Sequence, residues 1–352
     1  MAHLSGVFLI DCPASALNNA GQSVELEDPD RRFENWTAVK KVQTRQGTFP
    51  YVSAQAFRYW MRESLKDVEG WTSSPIHREA KIAYTAADPI AYAEDDLFGY
   101  MRAPAASKGK KDTTAAAPEV SGTLTRVSPF KVSTLISLAP RTIGIDFGTM
   151  SRGEGDPVPF AHEFYRTTLV GMFSLDLRMV GRFYAKERTG YRHLDESGRK
   201  RAEEEGLKFY DQDRAFELDV ETRKQRVRQL LLGLAQVNGG AKQSLHYTDV
   251  MPRFLLMGVA RGGNHLFGTV VGADHQGLPK LNMEAMAETA QVYDGKLLSG
   301  FHAGLMKGYL DEQRAALEAG LKAVPGSTLA HPVQAVHNLI SELETRATEW
   351  LA

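Results

Sequence analysis

One cysteine, Cys12, stands in a chain of 352 residues. A lone thiol closes no internal disulfide and builds no cysteine-rich zinc site, which fits a reducing compartment. Long hydrophobic runs are missing too: no stretch of about 18 apolar residues occurs, so no membrane-spanning helix is expected. The first residues, MAHLSGVFLIDCP, carry neither a basic leader nor a long apolar segment, and the expected location is cytoplasmic. Charge of one sign is not in excess either. A net charge of −1 provides no global basic footprint and argues against a free-standing nucleic-acid-binding monomer. It leaves room for local basic surfaces balanced by acidic ones, as in a subunit whose faces meet those of its neighbours.

Chemistry-bearing motifs are equally scarce. The ten histidines form no HExxH, since His162-Glu163 is followed by Phe-Tyr-Arg, and no metal site is expected. GKKDTT (109–114) lacks the upstream glycine and Lys-Ser/Thr pair of a phosphate loop, and RGGNHLFG (261–268) does not fit GxGxxG. No carboxylate sits in an apolar setting that would raise it into general-acid range. IGIDFGTMSRG (143–153) resembles the phosphate hairpin of actin-like and sugar-kinase ATPases, with Gly148 and Thr149 amides facing phosphate and Asp146 near magnesium. That superfamily begins its domain with this hairpin, whereas here it lies deep in the chain, without a second Asp-x-Gly hairpin. Only VARGG (259–263) faintly resembles the adenosine loop. The DFG triplet has no HRD-type partner. No catalytic residues are assigned, no cofactor is called for, and the chain is expected not to be an enzyme.

At 43% hydrophobic and 24% charged, the chain can bury a sizeable core in about two units or one elaborated domain. HLSGVFLID (3–11) reads as a buried first strand, followed by the polar loop CPASALNNAGQS (12–23). WTAVKKVQT (36–44) and TFPYV (48–52) flank Arg45-Gln46-Gly47, a three-residue hairpin connection with glycine at a positive φ. Pro50 and an N-cap at Ser53 predict a helix from about Ala54 to Lys66. On it Phe57, Trp60, Met61, Leu65 and Val68 form an apolar stripe, and Gln55, Arg58, Arg62 and Lys66 a polar one. VSPFKVSTLISL (127–138), RTIGIDFGTM (141–150) and HEFYRTTLVGMFSLDLRMVGRFY (162–184) are extended; DVETRKQRVRQLLLGLAQV (219–237) is a helix and RFLLMGVA (253–260) a buried strand.

Without its insertions, the order is strand, helix, two strands, helix, strand. This is the α+β, βαββαβ arrangement of a ferredoxin-like or RNA-recognition-motif domain. The insertions fall at about 69–140, with 107–122 lacking any large apolar group and expected to be disordered. A charged helical insertion is expected at 185–221, and residues 281–352 should be mainly helical.

Three stretches, SALNNAG (15–21), KKVQTRQGTFPYVSAQAFRYWMR (40–62) and GGAKQSLHYTDVMPRFLL (239–256), together resemble the repeated backbone subunit of type I CRISPR effector complexes (Cascade). The resemblance points to the type I-B, DevR-like branch of the RAMP superfamily. It implies a non-catalytic palm that oligomerises along guide RNA, with other copies of itself, other Cascade subunits and the target DNA strand as partners. It also implies a protruding thumb hairpin at about 141–165 that wedges between bases, leaving cleavage of DNA to another protein.

On this resemblance Arg58 and Arg62 would offer guanidinium forks to successive phosphates, beside the helix start at Ser53 and Gln55. Lys40, Lys41 and Arg45 would extend that surface. Asn18 and Asn19 would bond ribose or phosphate, or serve only as turn formers. Lys242, Gln243 and Ser244 follow Gly239-Gly240, where backbone can approach RNA. In the thumb, Phe147 and Met150 are apolar wedge candidates and Arg152 a phosphate contact. Two other classes stay open: an RNA-processing endonuclease of the same superfamily, for which His265 is the only candidate, and the actin-like ATPase.

Overall fold

Strand Val158–Asp176 runs antiparallel to Ala2–Ser15, with Phe8 opposite Gly171 and Leu9 opposite Val170. In this computed structural model, which describes residues 1–21, 36–79, 82–102, 123–150, 155–186 and 188–352, that pair is the centre of a large mixed sheet. Phe254–Arg261 lies on the other side of Ala2–Ser15, followed outward by His302–Leu305 and, parallel to it, Thr328–Ala330. Beyond the long strand come Leu135–Ser137, Gly47–Val52 and Lys41–Thr44, with Phe130–Val132 pairing farther along the same edge. Seven α-helices and twelve strands of this sheet fall among the described residues.

The near-continuous apolar run of the first strand follows from burial on both faces, because side chains alternate across a strand. Leu4, Phe8, Ile10 and Cys12 enter one core with Phe57, Trp60, Met61 and Leu65 of helix Ala54–Leu65, and with Leu230, Leu231 and Leu234 of helix Val220–Ala235. Helix Pro332–Trp350 adds Val336, Leu339 and Leu343 to this core. Val7 and Leu9 point the other way, into a second core with Phe254, Leu256, Met286, Leu317 and Leu321. Helices Met283–Val292 and Asp311–Lys322 cover that face. Among the described residues, the central strands are thus covered on both faces, unlike the open sheet of an RNA-recognition motif.

Several local expectations change. The hairpin turn is Arg45-Gln46, and Gly47, at φ +125°, is already the first residue of the returning strand. Within 185–221 a helix, Glu196–Glu204, accompanies the strands Lys208–Tyr210 and Ala215–Glu217, which join Arg182–Tyr184 in a separate three-stranded sheet. The C-terminal part is helical but also contributes the two edge strands at 302–305 and 328–330. The expected disorder at 107–122, and Arg152, fall outside the described residues. None of the described helices is long and apolar enough to cross a membrane.

The 69–140 region is anchored by charge. Asp96, fully buried in helix Ala93–Phe98, accepts hydrogen bonds from Arg126, from Arg226 Nη1 at 2.7 Å and from the Gly181 amide at 2.8 Å. Both guanidiniums are themselves buried, and among the described residues Asp96 is the carboxylate that pairs with each of them. Asp96→Ala is expected to cost about 3–5 kcal/mol, because two buried cations would lose their partner. Equilibrium denaturation would check this, and a loss below about 1 kcal/mol would show that the network is not what holds the insertion down.

Candidate nucleic-acid interface

Residues Gly144–Met150 and Val158–Phe164 form an antiparallel hairpin whose second arm is the N-terminal part of the long central strand, paired on its other side with Trp36–Val39. Its register places Gly144 opposite Phe164, Asp146 opposite His162 and Gly148 opposite Phe160. The two glycines are there for steric reasons. A Cβ on Gly148 would meet the Phe160 ring at 2.4 Å, and one on Gly144 would meet Phe164 at 2.8 Å. Gly-x-Asp-x-Gly is therefore the floor on which two aromatic rings lie. Gly148 and Thr149 are ladder residues inside a strand rather than a turn around phosphate, which removes the geometric basis of the ATPase resemblance.

Between the two phenylalanines lies His162, buried and stacked on Phe160 at 5.8 Å. Its Nε2 is 3.2 Å from Oδ2 of Asp146. His246, from the loop after Gly239-Gly240, crosses His162 edge-on at 4.9 Å and stacks on Phe164 at 5.1 Å. The hairpin root and that loop are thus packed together. Burial pushes the His162 imidazole below its ordinary range, His246 and Lys242 push in the same direction, and Asp146 opposes them. The Nε2 atoms of His162 and His246 are buried without a hydrogen-bond partner. No metal cluster was expected from the sequence, yet one ligand atom from each of Asp146, His162 and His246 lies within 4.8 Å of the others. Three residues so far apart in the chain match no spacing motif.

The structure gathers part of the expected binding set. Asn18 Oδ1 accepts the Ser53 amide at 3.0 Å, while its carbonyl accepts the Lys40 amide at 2.8 Å. The Leu17 carbonyl accepts the Ala241 amide at 2.9 Å. Gly239 and Gly240, at φ +143° and +106°, press against Trp60 and Leu17, where a Cβ would come within 2.5 Å. Asn18, Asn19, Lys40, Ser53 and Lys242 are brought to one region in this way. Asn19 Oδ1 is buried without a partner. Lys40, Arg45 and Lys242 have no ion-pair partner among the described residues. Gln55 and Ser244 are exposed, and Arg45 occupies the tip of its hairpin.

Other expected contacts are spent internally. Arg58 does not lie on a solvent face: its guanidinium donates to the carbonyls of Phe130 at 2.7 Å and Phe98 at 2.5 Å, and to Ser128 Oγ at 3.2 Å. Arg62 pairs with Glu94 at 3.1 Å, and both guanidiniums stack on the Phe98 ring, at 5.0 and 4.6 Å. Burial lowers the Arg58 pKa to about 10, with Arg62 adding to the effect, so the fork stays charged at neutral pH. The arginine stripe is thus a clamp between the Ala54–Leu65 helix and the inserted Ala93–Phe98 helix. Lys41 is held by Glu163 at 2.5 and 2.6 Å, and the same carboxylate accepts the Val39 amide at 3.1 Å. The Ser53 hydroxyl caps its helix through the Ala56 amide at 3.2 Å. Gln243 bonds the Gly239 carbonyl and both backbone groups of Thr248, and so shapes its own loop. His265 donates from Nε2 to the Gly6 carbonyl at 3.0 Å and accepts the Phe267 amide on Nδ1 at 3.2 Å. Neither nitrogen remains for an endonuclease base.

Exposed groups beside this site escape a reading based on motifs. Tyr247 is 79% exposed and Leu245 57% exposed on the loop that carries His246. Arg166 is exposed and, by strand alternation, on the face of His162 and Phe164. Their signal in the sequence was present, since GGAKQSLHYTDVMP offers two large apolar residues within a polar loop. Met150, 57% exposed, Phe147 and Val158 give the hairpin an apolar outer end.

Comparison with known proteins adds an independent finding. Residues 15–270 match the family described as CRISPR-associated negative auto-regulator DevR/Csa2. No curated protein matches the chain. Among solved structures, a chain titled CRISPR RNA-guided surveillance complex is similar at 12% identity and TM-score 0.49, covering 96% of this chain and 98% of that one. A chain of such a complex titled pre-nicking has 12% identity and TM-score 0.52, with 96% and 99% covered. At that identity the second likeness concerns the fold alone. The family match extends over most of the sequence, and the chain belongs to the DevR/Csa2 family of CRISPR-associated proteins.

Proposed function

We propose that the protein is a non-catalytic backbone subunit of an RNA-guided CRISPR surveillance complex of the type I-B, RAMP-superfamily kind. Copies stack along one guide RNA, hold its phosphates and present it in segments to a target DNA strand. The family match and the fold likeness support this reading. So does the strand order Phe254–Arg261, Ala2–Ser15, Val158–Asp176, Leu135–Ser137, backed by helices Ala54–Leu65 and Val220–Ala235. We read this as the ferredoxin-like palm.

The single observation that carries the proposal is the set of groups gathered around the Gly144–Phe164 hairpin and the groove beside it. Cations without ion-pair partners among the described residues, Lys40, Arg45, Lys242 and Arg166, accompany an apolar-ended hairpin, while both faces of the sheet are closed. A groove lined by Lys41, Gln43, Thr48, Arg141 and Ile145 separates the Lys41–Val52 hairpin from the Gly144–Phe164 hairpin. Such groups grip a backbone without reading bases, as a protein that accepts any guide must. Arg58 and Arg62 act indirectly, by fixing the helix whose N-cap residue is tied to Asn18.

Replacing Lys40, Arg45 and Lys242 together by alanine should weaken guide binding and flatten the salt dependence by about 0.7 per charge lost, with thermal stability unchanged. Arg58→Lys should do the reverse, lowering the melting temperature while leaving the slope in place. A triple variant with wild-type affinity and slope would remove this surface from the interface.

For the hairpin, Met150→Ala should reduce guide retention or target pairing, by analogy with base–side-chain contacts of about 1–3 kcal/mol per base. Chemical probing of bound guide should find unstacked nucleotides at regular intervals. Uniform protection along the guide would refute the wedge. Neither RNA cleavage nor magnesium-dependent ATP hydrolysis is expected from the purified chain, and either would reopen an enzymatic reading.

A further inference from the structure

The cluster of Asp146, His162 and His246 takes no part in the RNA contacts proposed above. His162 is 97% buried, as its relative exposure of 3% states, and its Nε2 has no hydrogen-bond partner. The neighbouring His246 Nε2 is in the same condition. Native proteins satisfy nearly all buried polar atoms; here His246 Nε2 has no partner and His162 Nε2 has only the ion-pair approach of Asp146, so two imidazoles beside one carboxylate call for a third party. The Asp146 carboxylate oxygen lies 3.2 Å from His162 Nε2.

We propose that Asp146, His162 and His246 bind one first-row divalent transition metal ion, with zinc the best chemical fit. Their ligand atoms already lie within 4.8 Å of one another, against the roughly 3.4 Å separation that tetrahedral bonds of about 2.0–2.1 Å require. A modest inward shift of His246 closes the difference, and that residue belongs to a loop. Two imidazoles and one carboxylate favour zinc, cobalt or nickel over magnesium or calcium, which prefer an all-oxygen shell. Asp146 is more than half exposed on its side chain, so the remaining coordination positions face solvent and take water. Lys242 is the nearby opposing charge; its side chain is only partly buried and its flexible stem lets the ammonium move aside. The bound ion would join the hairpin, through Asp146 and His162, to the 239–248 loop, through His246. Two elements that otherwise meet by ring stacking would then share a coordination bond network.

The test uses tag-free, chelator-treated full-length protein titrated with Co2+. Binding should reach one equivalent, with a visible d–d absorption that Zn2+ abolishes, and Zn2+ should raise the melting temperature. Asp146→Asn alters an exposed group and preserves packing; His246→Gln removes a ring donor. Each should weaken cobalt binding by about 10-fold or more and cancel the zinc-induced melting shift, with circular dichroism confirming the fold. His275→Gln, at an exposed histidine away from the cluster, should bind as wild type does. Absence of the absorption band would overturn the proposal in favour of a bridging water. A band that survived both Asp146→Asn and His246→Gln would overturn it equally, by placing the metal elsewhere.

Discussion

The register of the long strand Val158–Asp176 governs both the core and the candidate site. In its C-terminal half Leu169, Phe173 and Leu175 enter one core while Val170 and Met172 pack on the other. In its N-terminal half the same alternation puts Phe160, His162 and Phe164 together over Gly148, Asp146 and Gly144. A slip of one residue would exchange every one of these positions. The strand cannot slip, because its core half is pinned by pairs such as Gly6 with Phe173 and Phe8 with Gly171, where the glycine makes room for the ring. One continuous strand thereby carries the core and the hairpin, although its pairing with the first strand shifts register between Cys12 and Ser15, opposite Thr167 and Tyr165.

Much of this frame was legible because it rests on local periodicity. The run HLSGVFLID, the N-cap at Ser53 and the apolar stripe Phe57, Trp60, Met61, Leu65 all depend on spacings a sequence displays. What was not legible is the fate of charge. Arg58 and Arg62 occupy a polar stripe, and a stripe looks solvated until something lands on it. Here an inserted segment supplies Phe98, Glu94 and a set of carbonyls. The same holds for Lys41, whose partner Glu163 is distant in sequence. Pattern analysis identifies which face of a helix is apolar; it does not identify which tertiary neighbour claims the other face.

The consequence for function is a sorting of cations. Arg58, Arg62, Arg126, Arg223 and Arg226 bond carbonyls and carboxylates within the fold, and all but Arg223 tie the 69–140 insertion to it or within it. Arginine suits this work, since a planar fork satisfies several acceptors at once and keeps its charge when buried. Lys40 and Lys242 have no such partners among the described residues, and on the proposed reading their charge serves the guide. A near-zero net charge is thus compatible with a local basic surface, because many of the basic residues are neutralised internally while Lys40 and Lys242 lie on elements tied together through Asn18 and Leu17.

On the proposed reading, coverage of both sheet faces also decides how RNA is read. An open RNA-recognition sheet stacks bases on its aromatics and so acquires sequence preference. Here the aromatic residues of the central strands are packed under helices on either side, and the long strand's remaining aromatic face, at Phe160 and Phe164, is occupied by His162 and His246. What is left to meet nucleic acid is backbone-directed: flexible ammonium groups, polar loop ends and a hairpin whose outer residues are aliphatic or thioether as often as aromatic. These groups bind charge and separate bases without distinguishing one base from another. Indifference to guide sequence would then follow from where the C-terminal helices pack, because by burying the sheet they remove the surface on which base identity is ordinarily read.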